Sequence, residues 1–221
     1  SRLLQALADA AVRPLWAGAR PGDSLVPYAT LGRALRALQQ QCPQALLVAP
    51  AEQLAPLLPE LAPAAGLASP PQREGLVAAL AAVLGHALAE LGGIVLDDLH
   101  FADAATLQML PELSARCGQG AWLLSLRPPA EGTLAGQLMA DLVASGNWQS
   151  LSLAPLDDQA LAELVDSLAL PQVHGGALAP MLRARSGGNP LFALETLRLA
   201  WTEGHAIESG ALPSPRNLGQ L

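Results

Sequence analysis

Two adjacent carboxylates, Asp97 and Asp98, close an apolar run that begins at Ile94, and His100 and Asp103 follow shortly after. An uncharged, partly β-branched run reads as a strand buried on both faces, and ligands of open α/β sheets gather at the carboxyl ends of such strands. Mg²⁺ is a hard cation that keeps several waters and takes one or two carboxylates together with phosphate oxygens. Asp97 is therefore the expected metal ligand, with Asp98 as its acidic neighbour. The alternative for the same pair is structural: two acids that end a strand and shape a turn. His100 reads chiefly as a turn residue that structures its loop, Asp103 as a helix cap. His86, His174 and His205 show no ligand spacing.

The elements that must position these residues follow from the periodicity. Leu76, Leu80, Leu84, Leu88 and Leu91 mark a long helix that feeds through Gly92-Gly93 into the strand ending at Asp97. Upstream, Ser1 to Ala11 has apolar residues at helical spacing, Pro14 ends that helix, and a strand is expected around Leu15 to Ala17. Leu31, Leu35 and Leu38 then face one way while Arg33, Arg36 and Gln40 face another, an amphipathic helix suited to covering a sheet. Residues 43–71 are rich in Pro and Ala and read as a variable connector with short helical turns. Beyond the acidic pair, Asp103 caps a helix carrying Leu107, Leu110 and Leu113, in which Pro111 implies a kink or an early end. Trp122 to Leu126 reads as a strand, Leu134 to Val143 as a helix, and Trp148 to Leu153 as a last strand. The rest is helical: one stripe of Leu161, Leu164, Val165 and Leu168 behind an Asp157 cap, a second of Leu178, Met181 and Leu182, and a third launched by Asn189 and Pro190. Alternation of strands and helices argues for an α/β fold with a parallel sheet.

Size and composition narrow the function. The chain has 221 residues, 51% of them hydrophobic but only 3% aromatic, so the core is built from Leu, Ala and Val. The four tryptophans are expected beside sheet and helices as core residues. With 12 Lys and Arg against 19 Asp and Glu, the net charge is -7, which repels phosphate backbones and leaves few bases a stacking platform. Any DNA contact is assigned to a domain outside this chain. Cys42 and Cys117 show no paired spacing, which disfavours a disulfide framework or zinc site and fits a cytoplasmic protein. Gly75 to Leu96 has the length of a membrane span, but His86 and Glu90 interrupt it and Asp97-Asp98 follow where a span calls for Lys or Arg. Leu3 to Ala19 imitates a signal peptide until Asp9 and Arg13 break it.

The stretch from Ile94 to Asp103 resembles the Walker B segment of the AAA+-related signalling ATPases called STAND proteins, which include large LuxR-type bacterial regulators and ATPase modules beside some cyclases and kinases. Ser1-Arg2-Leu3-Leu4 looks like the residues that follow the Gly-Lys of a P-loop, whose Ser or Thr opens a helix. Pro21-Gly22-Asp23 and Pro27-Tyr28 reproduce a further family segment. Trp122 to Leu126 with Arg127 is similar to the sensor strand and its arginine. Gly187-Gly188-Asn189-Pro190-Leu191-Phe192 is similar to the start of a lid helix. The resemblance implies ATP and Mg²⁺ as ligands, with Ser1 and Asp97 on the metal, Asp98 and Arg127 in the chemistry, and Ser125 and Pro190 beside the nucleotide; the alternatives are a solvated loop arginine before Pro128-Pro129 for Arg127 and a plain helix start for Pro190. It implies a P-loop NTPase core over 1–155, a helical lid over 156–205 between which and the sheet ATP binds, and the start of a winged-helix-like domain over 206–221. Self-association on ATP binding, reset by hydrolysis, is the implied output. Asp98 stands where many AAA+ relatives carry Glu, which implies slow turnover suited to a switch.

The chain departs from the family at its start, where the P-loop glycines, lysine and preceding strand are not seen. In the family that strand is central, so the expectation is a fragment whose sheet has an unpaired edge and which alone binds ATP poorly. Two other classes compete: a degenerate ATPase fold kept as a protein-interaction scaffold, and an Ala/Leu-rich helical scaffold with little strand content.

Overall fold

The computed structural model describes Leu4, Ala6 and residues 13–61, 72–118, 120–130, 132–170 and 173–202. They fall into two compact units, residues 1–149 and 150–221. The first is α/β. Its strands β1 (Leu15–Gly18), β2 (Gly93–Asp97) and β3 (Ala121–Leu124) form a wholly parallel sheet in the order β1-β2-β3. Every residue of β2 is buried, as its uncharged composition requires of a central strand.

Register sorts the side chains onto two faces. Leu15, Ala17, Ile94 and Leu96 join the main core, with Trp122 and Leu124 packed against it. The helices that complete this core are α1 (Ala29–Gln41), α2 (Arg73–Leu91), α3 (Ala104–Arg116) and α4 (Leu134–Ala144). Helix α1 buries Leu31, Leu35 and Leu38 along one stripe and packs on β1, as its amphipathic pattern predicts. Helix α2 is long and apolar enough to cross a membrane, but Leu76, Leu80, Val83, Leu84 and Leu88 are buried in this core. Gly92 ends α2 at φ 74, a left-handed turn open to glycine, and donates its N–H to Leu88 before β2 begins. On the opposite face of the sheet, Val95 is buried with Leu4, and Trp16 and Leu123 pack against them.

The expected connector contains helical turns at Pro43–Val48, Ala51–Leu54 and Pro59–Leu61; residues 62–71 lie outside the described set. Pro111 neither ends nor divides α3, which runs from Ala104 to Arg116. One expected strand is absent. Trp148 to Leu153 has no ladder partner among the described residues, and Leu151 and Leu153 are 75% and 69% exposed. Alternating side chains make a strand only where a neighbouring backbone accepts the pairing, and among the described residues β3 is paired along one edge only, with β2.

The second unit is helical: α5 (Asp158–Asp166), α6 (Gly175–Ser186) and α7 (Pro190–Thr202). Leu161, Val165, Leu178, Leu182, Ala193 and Leu197 form its own core. Asp157 caps α5 through Ala160 N–H at 2.8 Å, and Asn189 Oδ1 accepts from Leu191 N–H at 3.0 Å to start α7. Gly188 precedes that cap at φ 80, and a Cβ there would stand 2.5 Å from the Leu156 carbonyl oxygen. Trp201 is 56% exposed, which corrects its expected core position. The expected winged-helix start at 206–221 lies outside the described residues.

Candidate functional site

Asp97 is the last residue of β2 and is buried, with 6% of its surface exposed. Two-residue alternation puts its side chain on the face of Val95, the face that Leu4 covers. The ladder continues one residue past β3: Ser125 N–H donates to Leu96 O at 3.0 Å, and Ser125 O accepts from Leu99 N–H at 2.8 Å. That extension sets Ser125 beside Asp97, and the Ser125 hydroxyl donates to Asp97 Oδ1. The same hydroxyl oxygen accepts the Asp98 N–H at 2.9 Å, and Asp98 N–H also reaches Asp97 Oδ1 at 3.1 Å. Ser125 is thus a structural partner of both carboxylates.

Asp98 itself is left-handed, φ 57 and ψ 37, a conformation that costs a non-glycine residue on the order of 1 kcal/mol. Its amide bonds hold that geometry, and its side chain is 51% exposed. A single 3-10 turn, Leu99–Phe101, follows and returns the chain to α3. His100 sits in that turn with only 16% of its side chain exposed, Nδ1 4.0 Å from Asp98 Oδ1. Its ring lies 4.0 Å from the Phe101 ring, tilted by 45°. Both imidazole nitrogens are buried and lack a hydrogen-bond partner. Burial, and then the charge of Arg127, hold this imidazole below its usual pKa against the pull of Asp98 and Asp97.

Arg127 is exposed, its guanidinium carbon 6.0 Å from the centroid of Phe101. That separation is within the range of a cation–π contact. The expected site residues Asp97, Asp98, Ser125 and Arg127 therefore meet at one end of the sheet. Ser1 lies outside the described residues, and Pro190 begins α7 of the second unit.

Two anchors of this edge were not legible from the sequence as site residues. Asp103 is 1% exposed and caps α3 by accepting from Thr106 N–H at 2.8 Å, but it also accepts Tyr28 N–H at 2.7 Å from the turn before α1. Arg33, expected on an outward helix face, donates to Gly18 O at 2.7 Å and makes a two-pronged pair with Asp23 at 2.7 and 2.8 Å. Gly18 is the register partner of Asp97, so Arg33 braces the β1 end beside it. No spacing rule links Asp23 to Arg33 or Tyr28 to Asp103.

Asp97 carboxylate and Ser125 hydroxyl are hard oxygen donors at one strand end, and among the described residues no three His, Cys, Asp or Glu side chains converge. That chemistry suits a cation that takes one protein carboxylate and fills its remaining positions with water and phosphate oxygen. No family model, no curated protein and no solved structure matches the chain.

Proposed function

We propose that this chain carries the metal-binding and water-orienting side of a P-loop-class nucleotide hydrolase, a signalling switch of the STAND type that uses Mg²⁺ and ATP in the cytoplasm. The observation that carries the reading is the shared sheet face. Asp97 and Val95 project from the same side of β2, and Leu4, three residues after Ser1, packs on Val95. In a P-loop the Ser or Thr hydroxyl that opens the following helix and the strand-end Asp serve one cation. Leu4, which is helical and covers this face, stands three residues from the serine that the resemblance assigns to that role.

In this reading Asp97 holds the metal, directly or through water, and Ser125 fixes the Asp97 rotamer. The metal, when bound, neutralises charge on the phosphates. Asp98 orients the attacking water, and Arg127 meets the terminal phosphate with a permanently charged fork. Among the described residues β3 is paired along one edge only, which leaves room beside it for the further central strand that the resemblance implies.

The test is Mg²⁺-dependent ATP binding and single-turnover hydrolysis by the full-length gene product. Asp97→Asn is expected to abolish the Mg²⁺-dependent part of binding. Asp98→Asn is expected to leave binding intact and slow hydrolysis by about 100-fold. A full-length protein that binds no Mg·ATP refutes the proposal and favours a scaffold; normal hydrolysis by Asp98→Ala removes Asp98 from the chemistry.

A further inference from the structure

We infer that His100 is the positioning residue of Asp98: its Nδ1–H closes onto the Asp98 carboxylate and aims it at the attacking water. This deepens the hydrolytic reading and rests on it. A neutral imidazole always carries one N–H donor, and a buried donor with no acceptor is unfavourable. Both His100 nitrogens are in that condition, inside a ring that is mostly buried. The acceptor within reach is Asp98 Oδ1, 4.0 Å from Nδ1, about 1 Å beyond a hydrogen bond.

The mobile partner of the two is Asp98. Its backbone is pinned by the amide bonds to Ser125 Oγ and Asp97 Oδ1, while its carboxylate is half exposed. The imidazole packs on the Phe101 ring, and the nearby charge of Arg127 disfavours a second positive charge. His100 therefore acts as a neutral donor that takes one carboxylate oxygen and leaves the other to the water. Orientation matters here because an Asp is a short, freely turning carboxylate, and an ångström of misplacement costs about 100-fold in rate. In the hydrolysis so arranged, the water oxygen bonds to the terminal phosphorus while the bridging P–O bond breaks, its electron pair leaving on ADP. The water's proton passes through the Asp98 carboxylate to the inorganic phosphate released.

Three replacements separate positioning from packing. The amide nitrogen of Asn falls near the place of Nδ1, that of Gln near Nε2. In the full-length protein, His100→Gln and His100→Phe are expected to lower kcat for ATP by about 100-fold with KM little changed. His100→Asn is expected to keep kcat within about threefold of the parent, on the same scale of misplacement. Thermal melts confirm that each variant folds. Equal losses for Asn and Gln, or a change confined to KM, overturn the inference. A second readout needs no turnover: ¹⁵N spectra of the His100 ring in this chain are expected to show the Nδ1–H tautomer, with the Nδ1 resonance moving in Asp98→Asn. An Nε2–H tautomer overturns the pairing whether or not ATP is hydrolysed. A full-length protein inert toward ATP whose Nδ1 still responds to Asp98 removes the hydrolytic reading and retains the pair.

Discussion

Asp103→Ala is the sharpest test of how this sheet edge is held. The carboxylate is 1% exposed and serves four donors: Tyr28 N–H at 2.7 Å and Thr106 N–H at 2.8 Å on Oδ1, Thr106 hydroxyl at 2.7 Å and Thr30 N–H at 3.4 Å on Oδ2. Loss of the helix cap costs about 1 kcal/mol. The Tyr28 amide is left without its charged acceptor in a half-buried turn, which adds about 2 kcal/mol. The long Thr30 contact adds little. The expected total for Ala is about 3 kcal/mol, close to 6–12 °C in Tm for a unit of this size. Asp103→Ser restores the cap but cannot reach Tyr28, so it should recover about 1 kcal/mol. Trp16, Trp122 and Trp148 all belong to the first unit and pack against its core clusters, so urea denaturation followed by tryptophan fluorescence reports on it. An Ala variant within 1 kcal/mol of the parent, or a Ser variant equal to it, refutes the claim that Asp103 ties α3 to the turn before α1.

The Asp23–Arg33 pair gives a pH signature. Arg33 holds the Asp23 carboxyl below its usual 3.8, so its contribution is present above that pH and is lost as pH falls through the lower folded value. Arg33→Met is expected to cost about 3 kcal/mol at pH 7, with the gap to the parent narrowing below pH 4 in urea titrations. Burial raises the Cys117 thiol to about 11, so at pH 8 only about one thiol in a thousand is ionised and an aromatic disulfide reagent should label it only on unfolding. In the second unit, Gly188→Ala is expected to lower stability by at least 1–2 kcal/mol, because the residue is left-handed and its Cβ would press on the Leu156 carbonyl. Circular dichroism melts of the variant check it.

Among the described residues, three strands and seven longer helices follow local signals that packing does not contradict. β2 is uncharged and ends in acids, α2 ends where two glycines stand, and α1 carries a clean stripe. The 3.6-residue and two-residue periods report burial directly, so these elements were readable. Trp148 to Leu153 was misread for the same reason. Its alternation is real, but pairing is decided by what lies alongside, and a period contains no information about a neighbour. Trp201 fails similarly: an apolar residue on a helical stripe can still emerge where the second unit's core ends.

The site divides along the same line. Asp97 and Asp98 were legible because a strand end fixes where its last side chains go, whereas Ser125 was a weaker candidate whose partners only register reveals. Arg33 and Asp103 were illegible as site residues because their work is done across the sheet edge, 10 and 75 residues away from their partners in sequence. Both bind backbone or loop groups that sit beside strained or strand-ending positions: Asp103 takes the amide of left-handed Tyr28, and Arg33 takes the carbonyl of Gly18 beside Asp97. Left-handed non-glycine residues persist only where surrounding bonds over-determine them. Tyr28 and Asp98 are two of the three such residues described. The turns they occupy lead into α1 and α3, which the Asp103 carboxylate joins. At Asp98 those bonds run from its amide to Ser125 Oγ and Asp97 Oδ1, so the strained turn is fixed to the same strand end that carries the proposed metal ligand.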